Sequence, residues 1–216
     1  MSTDVRFSRS LGVLLLLFPV LSPSSLANQS SPGAGVIVGH KDLRLCMTFQ
    51  EFRAGPDRGF SAHNVHGNPI MPGMMLLARA EDLPAGHAQV SVRFGEGNRL
   101  AEIAIRLPPY LTRPQRLRDG ARRFEQLASE LRSAYAIRPT GPILAVESDL
   151  FGERGLLLID PRGNAISLQH SIVDYGQYGV DESVQLTYYA RGTPWSPARR
   201  AGSLLVGHEI KFCEGE

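Results

Sequence analysis

Three residues in the second half of the chain carry side chains suited to proton transfer: His170, Tyr188 and His208. Each lies in a stretch where apolar and polar residues alternate, and each falls on the apolar side of that stretch. The apolar residues in step with them are Ile166, Leu168 and Ile172 for His170, Val184 and Leu186 for Tyr188, and Leu204, Val206, Ile210 and Phe212 for His208. Neighbouring antiparallel strands would bring the three side chains onto one patch, where two histidines beside a tyrosine could move a proton or hold a ligand.

This pattern makes His170, Tyr188 and His208 candidate catalytic residues of a hydrolase-like enzyme, but a second interpretation stays open. A histidine on an apolar face is more often a core residue that is hydrogen-bonded to the backbone or to water. An acidic partner on the same face is not apparent. The sequence also lacks a phosphate-binding P-loop, a Cys-x-x-Cys pair and a His-Glu-x-x-His motif. We therefore expect a protein that is not an enzyme, with the hydrolase as an alternative.

A second group of side chains could hold a metal ion. His63 and His66 are separated by two residues in a polar segment, Met71 follows them, and His87 lies further along the chain. Imidazole and thioether groups together suit a soft ion such as Cu(I). The sequence thus gives a periplasmic copper-binding protein as one alternative, and a solvated polar loop without a metal as the other.

The chain has two cysteines, Cys46 and Cys213, and they lie near opposite ends of the predicted domain. In an exported protein such a pair predicts one disulfide bond. Both cysteines fall on the polar side of alternating stretches, which we interpret as the first and last strands of the fold. A bond between them requires these strands to lie side by side, because the Cα atoms of bonded cysteines are about 4.4 to 6.8 Å apart.

One long amphipathic helix is predicted at about residues 114–135. Its apolar residues recur at intervals of three, four and seven, as expected for one face of a helix. They are Leu117, Ala121, Phe124, Leu127, Ala128, Leu131, Ala134 and Tyr135. Pro139 follows and terminates the pattern. We expect the helix to pack on the face of a sheet.

Strands are predicted on both sides of this helix. Alternation of apolar and polar residues, interrupted by turn residues, indicates two hairpins and several further strands. The predicted strands are 36–49 (one or two), 74–80, 90–94 paired with 101–107, 142–148, 156–159 paired with 166–172, 184–188 and 204–212, and residues 50–73 are predicted to be irregular. A single helix among antiparallel strands predicts an α+β fold.

The start of the chain predicts a signal peptide over residues 1–27. Arg6 and Arg9 precede an apolar run, and Ser25-Leu26-Ala27 fits a signal peptidase site. The run is too short to span a membrane, which takes about 20 apolar residues. We expect residues 28–35 to be a disordered lead-in and residues 36–216 to form one domain, with a subdivision near 138–142 as the alternative.

The composition limits the class of partner. The 23 basic and 21 acidic residues give a net charge of +2, which is too balanced to favour nucleic acid. No segment after the signal peptide resembles a transmembrane helix. The sequence therefore predicts a secreted or periplasmic protein, and the expected function is a non-catalytic binding or envelope-associated module with an unknown protein or envelope component as its partner.

Overall fold

The computed structural model describes residues 35–55, 59–62, 75–83, 86–107, 110–112, 117–135, 137, 143–150, 153–197 and 211–214. Within these ranges the chain forms two α-helices and eleven strands. The helices are α1 (Phe49–Ala54) and α2 (Leu117–Ala134). The strands are β1 (Gly39–His40), β2 (Leu43–Arg44), β3 (Ser61–Ala62), β4 (Met75–Leu83), β5 (Gly86–Phe94), β6 (Leu100–Arg106), β7 (Tyr110–Thr112), β8 (Leu144–Leu150), β9 (Glu153–Ile159), β10 (Ala165–Asp174) and β11 (Val180–Tyr189).

Most of the strands form one antiparallel sheet in the order β3-β4-β5-β6-β11-β10-β9-β8. Strand β7 pairs with the first residues of β11, and β1 and β2 form a small separate sheet. The hairpin predicted at residues 90–107 is confirmed, because β5 pairs with β6. The strands predicted on either side of the turn at 160–164 also pair, as β9 and β10. The predicted α+β fold class is therefore confirmed.

The main core lies between one face of the large sheet and helix α2. The sheet contributes rows of cross-strand partners, for example Ile103, Tyr188 and Ile166 on β6, β11 and β10. The buried side chains that the structure describes on the helix are Phe124, Leu127, Ala128 and Leu131. The helix packs on β10 and β11, as predicted. Ala134, which the stripe also includes, is exposed at the end of the helix.

Residues 45–54 differ from the sequence prediction. After β2 the chain turns instead of continuing as a strand to residue 49, and the segment predicted to be irregular begins with helix α1. Thr48 caps this helix, since its Oγ1 accepts a hydrogen bond from the amide of Glu51 at 3.2 Å and the Glu51 carboxylate accepts from the amide of Thr48 at 2.7 Å. The Thr-x-x-Glu pattern of this capping box was a helix signal that the apolar alternation of residues 43–49 obscured.

The disulfide bond between Cys46 and Cys213 is confirmed, with a Cα–Cα distance of 5.5 Å. Its predicted setting on the polar side of two strands is wrong. Both cysteines lie in turns, with φ angles of 65° at Cys46 and 52° at Cys213, and both are buried. The bond therefore lies in the core, where it joins the turn after β2 to the turn at residues 212–214.

Part of the sequence interpretation falls outside the described ranges. The signal peptide at 1–27, nearly all of the lead-in at 28–35, the boundary near 138–142 and most of the strand at 204–212 stay predictions. Of the helices that the structure describes, neither combines the length and the apolar character needed to cross a bilayer.

Candidate functional site

His170 lies on β10 and forms a buried pair with Glu182 on β11. Its Nε2 is 2.7 Å from Oε1 of Glu182, and the two side chains are 4 % and 0 % exposed. His170 is opposite Val184, and Glu182 is opposite Ile172, so the two side chains are diagonal neighbours on the apolar face. An acidic partner for His170 therefore exists, and the sequence interpretation missed it. The sequence signal for this partner was that Glu182 and Val184 are two positions apart, which puts both side chains on the same face of the strand.

Helix α2 covers this pair. A Cβ atom added to Gly120 would lie 2.2 Å from Oε1 of Glu182, so a larger residue at this position of the helix would displace the Glu182 carboxylate. The ring of Phe124, one turn further along, has its centroid 6.3 Å from that of His170. The pair is thus shielded from solvent by the helix, and a substrate could reach it only if the helix moved.

Tyr188 is on the same face as His170 but not beside it. It pairs with Ile166, four register positions from the pair formed by His170 and Val184, which corresponds to roughly 13 Å along the strands. Its ring lies 6.1 Å from that of His40. Burial is the main cause that raises the pKa of Tyr188 far above its ordinary value, and the nearby Tyr135 adds to this effect. His208, the third predicted member, is outside the described residues.

The predicted metal-binding residues are mostly outside the described ranges. His63, His66 and Met71 fall in the gap between β3 and β4, and His87 lies on β5 in register with Asp82. Among the residues that the structure describes, no group of three or more His, Cys, Asp or Glu side chains is arranged to hold a metal ion. Copper binding by the His63, His66 and Met71 segment stays a prediction.

A second polar cluster surrounds Glu81 on β4. The Glu81 carboxylate is 3.2 Å from Nε2 of the buried His40 and 2.9 Å from Nη2 of Arg79, and it also accepts from Lys41. Burial of the carboxylate opposes its ionisation, but the hydrogen bonds from His40 and Lys41 outweigh that effect and lower the pKa of Glu81 to about 2. These contacts connect the β1–β2 turn to the large sheet, which indicates a structural role for Glu81.

Asp160 and Asn164, in the turn between β9 and β10, hold the backbone at Ile37. The amide of Ile37 donates to Oδ2 of Asp160 at 2.9 Å, and Nδ2 of Asn164 donates to the carbonyl of Ile37 at 3.1 Å. Burial of Asp160 raises its pKa even though it accepts several hydrogen bonds. This network fixes the position of residues 36–38 against the end of the sheet.

Residues 36–38 form one wall of a cavity of about 460 Å³ next to the disulfide bond. Its charged lining residues are Arg44, Arg99, Arg162 and Glu51, and its other lining residues are Val36, Ile37, Val38, Leu45, Cys46, Met47 and Asn164. Of its apolar lining residues, Ile37, Leu45 and Met47 are buried and Val38 is exposed. The rim reaches solvent at Arg44 and Arg162, which are exposed. We call this space the arginine cavity.

The electrostatics of the arginine cavity are positive. Glu51 is the acid among its lining residues, and its carboxylate is already engaged with the backbone amide and the hydroxyl of Thr48. These hydrogen bonds, chiefly that from the Thr48 backbone, lower the pKa of Glu51, and the positive charges of Arg44 and Arg99 lower it further. The Arg99 guanidinium is anchored by donating to the carbonyl of Cys46 at 3.1 Å.

A second cavity, of about 360 Å³, lies between α2 and strands β8 and β9. Its charges are matched in pairs, since Arg154 contacts Glu125 at 2.9 Å and Arg132 contacts Glu147. It therefore offers no excess of either charge to a ligand. The arginine cavity differs in this respect, and sequence reasoning could not find it because its arginines come from three distant parts of the chain.

Comparison of the chain with protein families, with curated proteins and with solved structures found no match in any of the three. Its function is therefore inferred from the geometry of its own residues.

Proposed function

We propose that this chain is an exported, non-catalytic binding module that holds its ligand in the arginine cavity. The observation that carries the proposal is the lining of this cavity, which combines the accessible apolar side chains of Val36 and Val38 with three arginines and, among the described lining residues, one glutamate. Small-molecule sites are typically concave, mostly apolar and about 300 to 1,000 Å³ in volume, with a few polar groups that orient the ligand. The volume of the arginine cavity lies within this range, and its lining carries both apolar and charged side chains.

The disulfide bond supports the exported part of the proposal. Bonds of this kind persist in oxidising compartments such as the periplasm or the extracellular space. The predicted signal peptide at residues 1–27 points to the same compartment. Protein secretion by this route would give the chain access to envelope components or secreted molecules as ligands.

The positions of the acid–base residues support the non-catalytic part. General acid–base catalysis requires the catalytic group to come within hydrogen-bond reach of the substrate. His170 and Glu182 are closed off beneath α2, and His40 is fully buried against Glu81. The described residues that line the arginine cavity, in contrast, include no histidine.

Photo-crosslinking in cells tests the proposal. A photoreactive phenylalanine derivative is placed at Val38, a cavity residue that is 43 % exposed, and in a control protein at Val173, which is 41 % exposed on β10 away from the cavity. After irradiation, intact-mass measurement of the recovered protein should show a discrete adduct at Val38 and none at Val173. No adduct at Val38, or the same adducts at both positions, would contradict the proposal.

A hydrolase remains the second candidate, because His170 and Glu182 have the geometry of a general base oriented by a carboxylate. It requires α2 to expose the pair. This candidate predicts that the purified protein hydrolyses an activated ester such as p-nitrophenyl acetate, and that His170→Gln abolishes the reaction in a protein that is still folded. Equal rates for the wild-type protein and His170→Gln would remove it.

A further inference from the structure

The three arginines of the arginine cavity converge although they are far apart in the sequence. Arg44 ends β2, Arg99 follows the turn between β5 and β6, and Arg162 is in the turn between β9 and β10. Each of these segments is held in place by a specific contact. The β2 turn is held by the disulfide bond, Arg99 by the carbonyl of Cys46, and the turn at 160–164 by its hydrogen bonds to Ile37.

The charge of these arginines is only partly balanced. Glu51, the acid in the lining, is directed to the start of α1 and accepts from the Thr48 backbone and hydroxyl. Three arginines therefore line a cavity in which the carboxylate of Glu51 is already engaged by other donors. Guanidinium groups bind carboxylate and phosphate groups with two parallel hydrogen bonds, which makes arginine the preferred residue for recognising these anions.

The apolar lining sets a second requirement on the ligand. Val38 is exposed and Val36 is partly exposed, whereas Ile37, Leu45 and Met47 are already buried by the protein itself. Covering apolar surface of this kind gains about 25 cal/mol per Å² removed from water. A ligand with an apolar part would gain this contribution, whereas a free inorganic anion would not.

We propose that the arginine cavity binds a small amphipathic anion, in which a carboxylate or phosphate group is attached to an apolar chain. The inference rests on the proposed function, since it names the chemical class of the ligand held there. The anionic group lies among Arg44, Arg99 and Arg162, and the apolar chain lies on Val36 and Val38.

Isothermal titration calorimetry on the mature protein tests this inference with four probes. Octanoate and octyl phosphate carry both required parts, octanamide carries the apolar chain without charge, and inorganic phosphate carries the charge alone. We expect saturable binding of octanoate or octyl phosphate that weakens as salt is added. Octanamide and inorganic phosphate should each bind at least tenfold more weakly.

Two double variants separate the cavity arginines from total charge. Arg44→Gln with Arg162→Gln removes two exposed cavity arginines, and Arg106→Gln with Arg122→Gln removes two exposed arginines that do not line the cavity. The cavity variant should bind octanoate or octyl phosphate at least tenfold more weakly, equivalent to about 1.4 kcal/mol, and the control should bind within twofold of the wild-type protein. Circular dichroism should show both variants folded, because all four side chains are at the surface.

The outcomes distinguish the inference from the proposed function. Equal affinity for octanamide and octanoate, or equal weakening in the two double variants, would overturn the anionic ligand class while leaving a binding module in place. Equal affinity for inorganic phosphate and octyl phosphate would overturn the apolar requirement. If all four probes fail to bind while the Val38 adduct still forms, the anion inference is wrong and the binding function stands. If the Val38 adduct is also missing, the anion inference and the binding function are both wrong.

Discussion

Glu81 connects two parts of the fold that are distant in the sequence. Its carboxylate accepts from His40 and Lys41 in the β1–β2 turn, and Arg79 on its own strand also donates to it. Because these donors stabilise the charged form more than burial destabilises it, the pKa of Glu81 falls from 4.5 to about 2. The folded state therefore binds the Glu81 proton less tightly than the unfolded state does.

This pKa shift predicts a pH-dependent contribution to stability. A group whose pKa is lowered by folding stabilises the protein above the unfolded-state value, and the contribution is lost as the pH falls through the folded-state value. For Glu81 it is complete above about pH 4.5 and disappears towards about pH 2. We expect Glu81→Gln to lower the free energy of unfolding by about 1 to 2 kcal/mol at pH 7, as for hydrogen bonds to charged groups with some screening by solvent.

Urea unfolding at pH 7 and at pH 2.5 measures this effect. The difference between Glu81→Gln and the wild-type protein should be much smaller at the lower pH. Glu96→Gln, at an exposed position in the turn between β5 and β6, serves as the control and should show little difference at either pH. If Glu81→Gln lowers the free energy of unfolding by the same amount at pH 7 and at pH 2.5, the role assigned to the carboxylate is wrong.

Single residues were predicted from the sequence with mixed success. The disulfide partners could be predicted because two cysteines allow one intramolecular pairing. The burial of His170 followed from its alternation with apolar neighbours, and the same rule applied to Val180–Tyr189 would have placed Glu182 beside it. Arg44, Arg99 and Arg162 could not be grouped, because their proximity depends on turns that pack only in the complete fold.

At the scale of elements, helix α2 depends on a glycine that its apolar stripe does not explain. Glycine in a helix costs about 1 kcal/mol relative to alanine, so replacement by alanine normally stabilises a helix. Here a Cβ atom at Gly120 would lie 2.2 Å from Oε1 of Glu182. The helix can approach β11 closely because this position has no side chain.

We predict that Gly120→Ala destabilises the protein by about 1 to 3 kcal/mol, the usual cost of forcing extra atoms into a packed site. A double-mutant cycle with Glu182→Ala identifies the cause. In the Glu182→Ala background the clash is absent, so Gly120→Ala should become neutral or stabilising in denaturant unfolding. An equal loss in both backgrounds would show that the glycine is needed for another reason.

The elements that the sequence predicted best are those with a long and regular pattern. Helix α2 and the β5–β6 and β9–β10 hairpins were found because each has a sustained period and clear turn residues. Helix α1 was missed because it has only six residues, too few to show a helical period. Leu43 lies on β2, but Leu45 and Met47, which continue its alternation, are buried in the turn after β2 and the residue that follows it instead of in a strand.

At the scale of the whole molecule, the disulfide bond closes the chain over a sequence separation of 167 residues. In the chain-entropy description, a loop of that length stabilises the folded state by up to about 5 kcal/mol, because the linked unfolded chain has fewer conformations. The same bond lies under the arginine cavity, where Cys46 is a lining residue. We therefore expect both the stability of the fold and ligand binding in the arginine cavity to depend on this disulfide bond.

The double variant Cys46→Ser with Cys213→Ser should lose about 2 to 5 kcal/mol of unfolding free energy, the usual cost of removing a native disulfide. Denaturant unfolding of the double variant and of the oxidised wild-type protein measures the loss. Each single variant should be as unstable as the double variant, since either one removes the bond. A double variant as stable as the oxidised protein would show that the bond does not constrain the fold.

The most direct test of the binding function is a titration of the ¹⁵N-labelled mature protein with octanoate, followed by NMR. We predict that amide shifts change in Val36–Val38, Arg44–Met47 and Arg162–Asn164, the segments that line the arginine cavity, and not around His170 and Glu182. Shift changes centred on His170 and Glu182, with the arginine cavity unaffected, would contradict the account and favour the hydrolase.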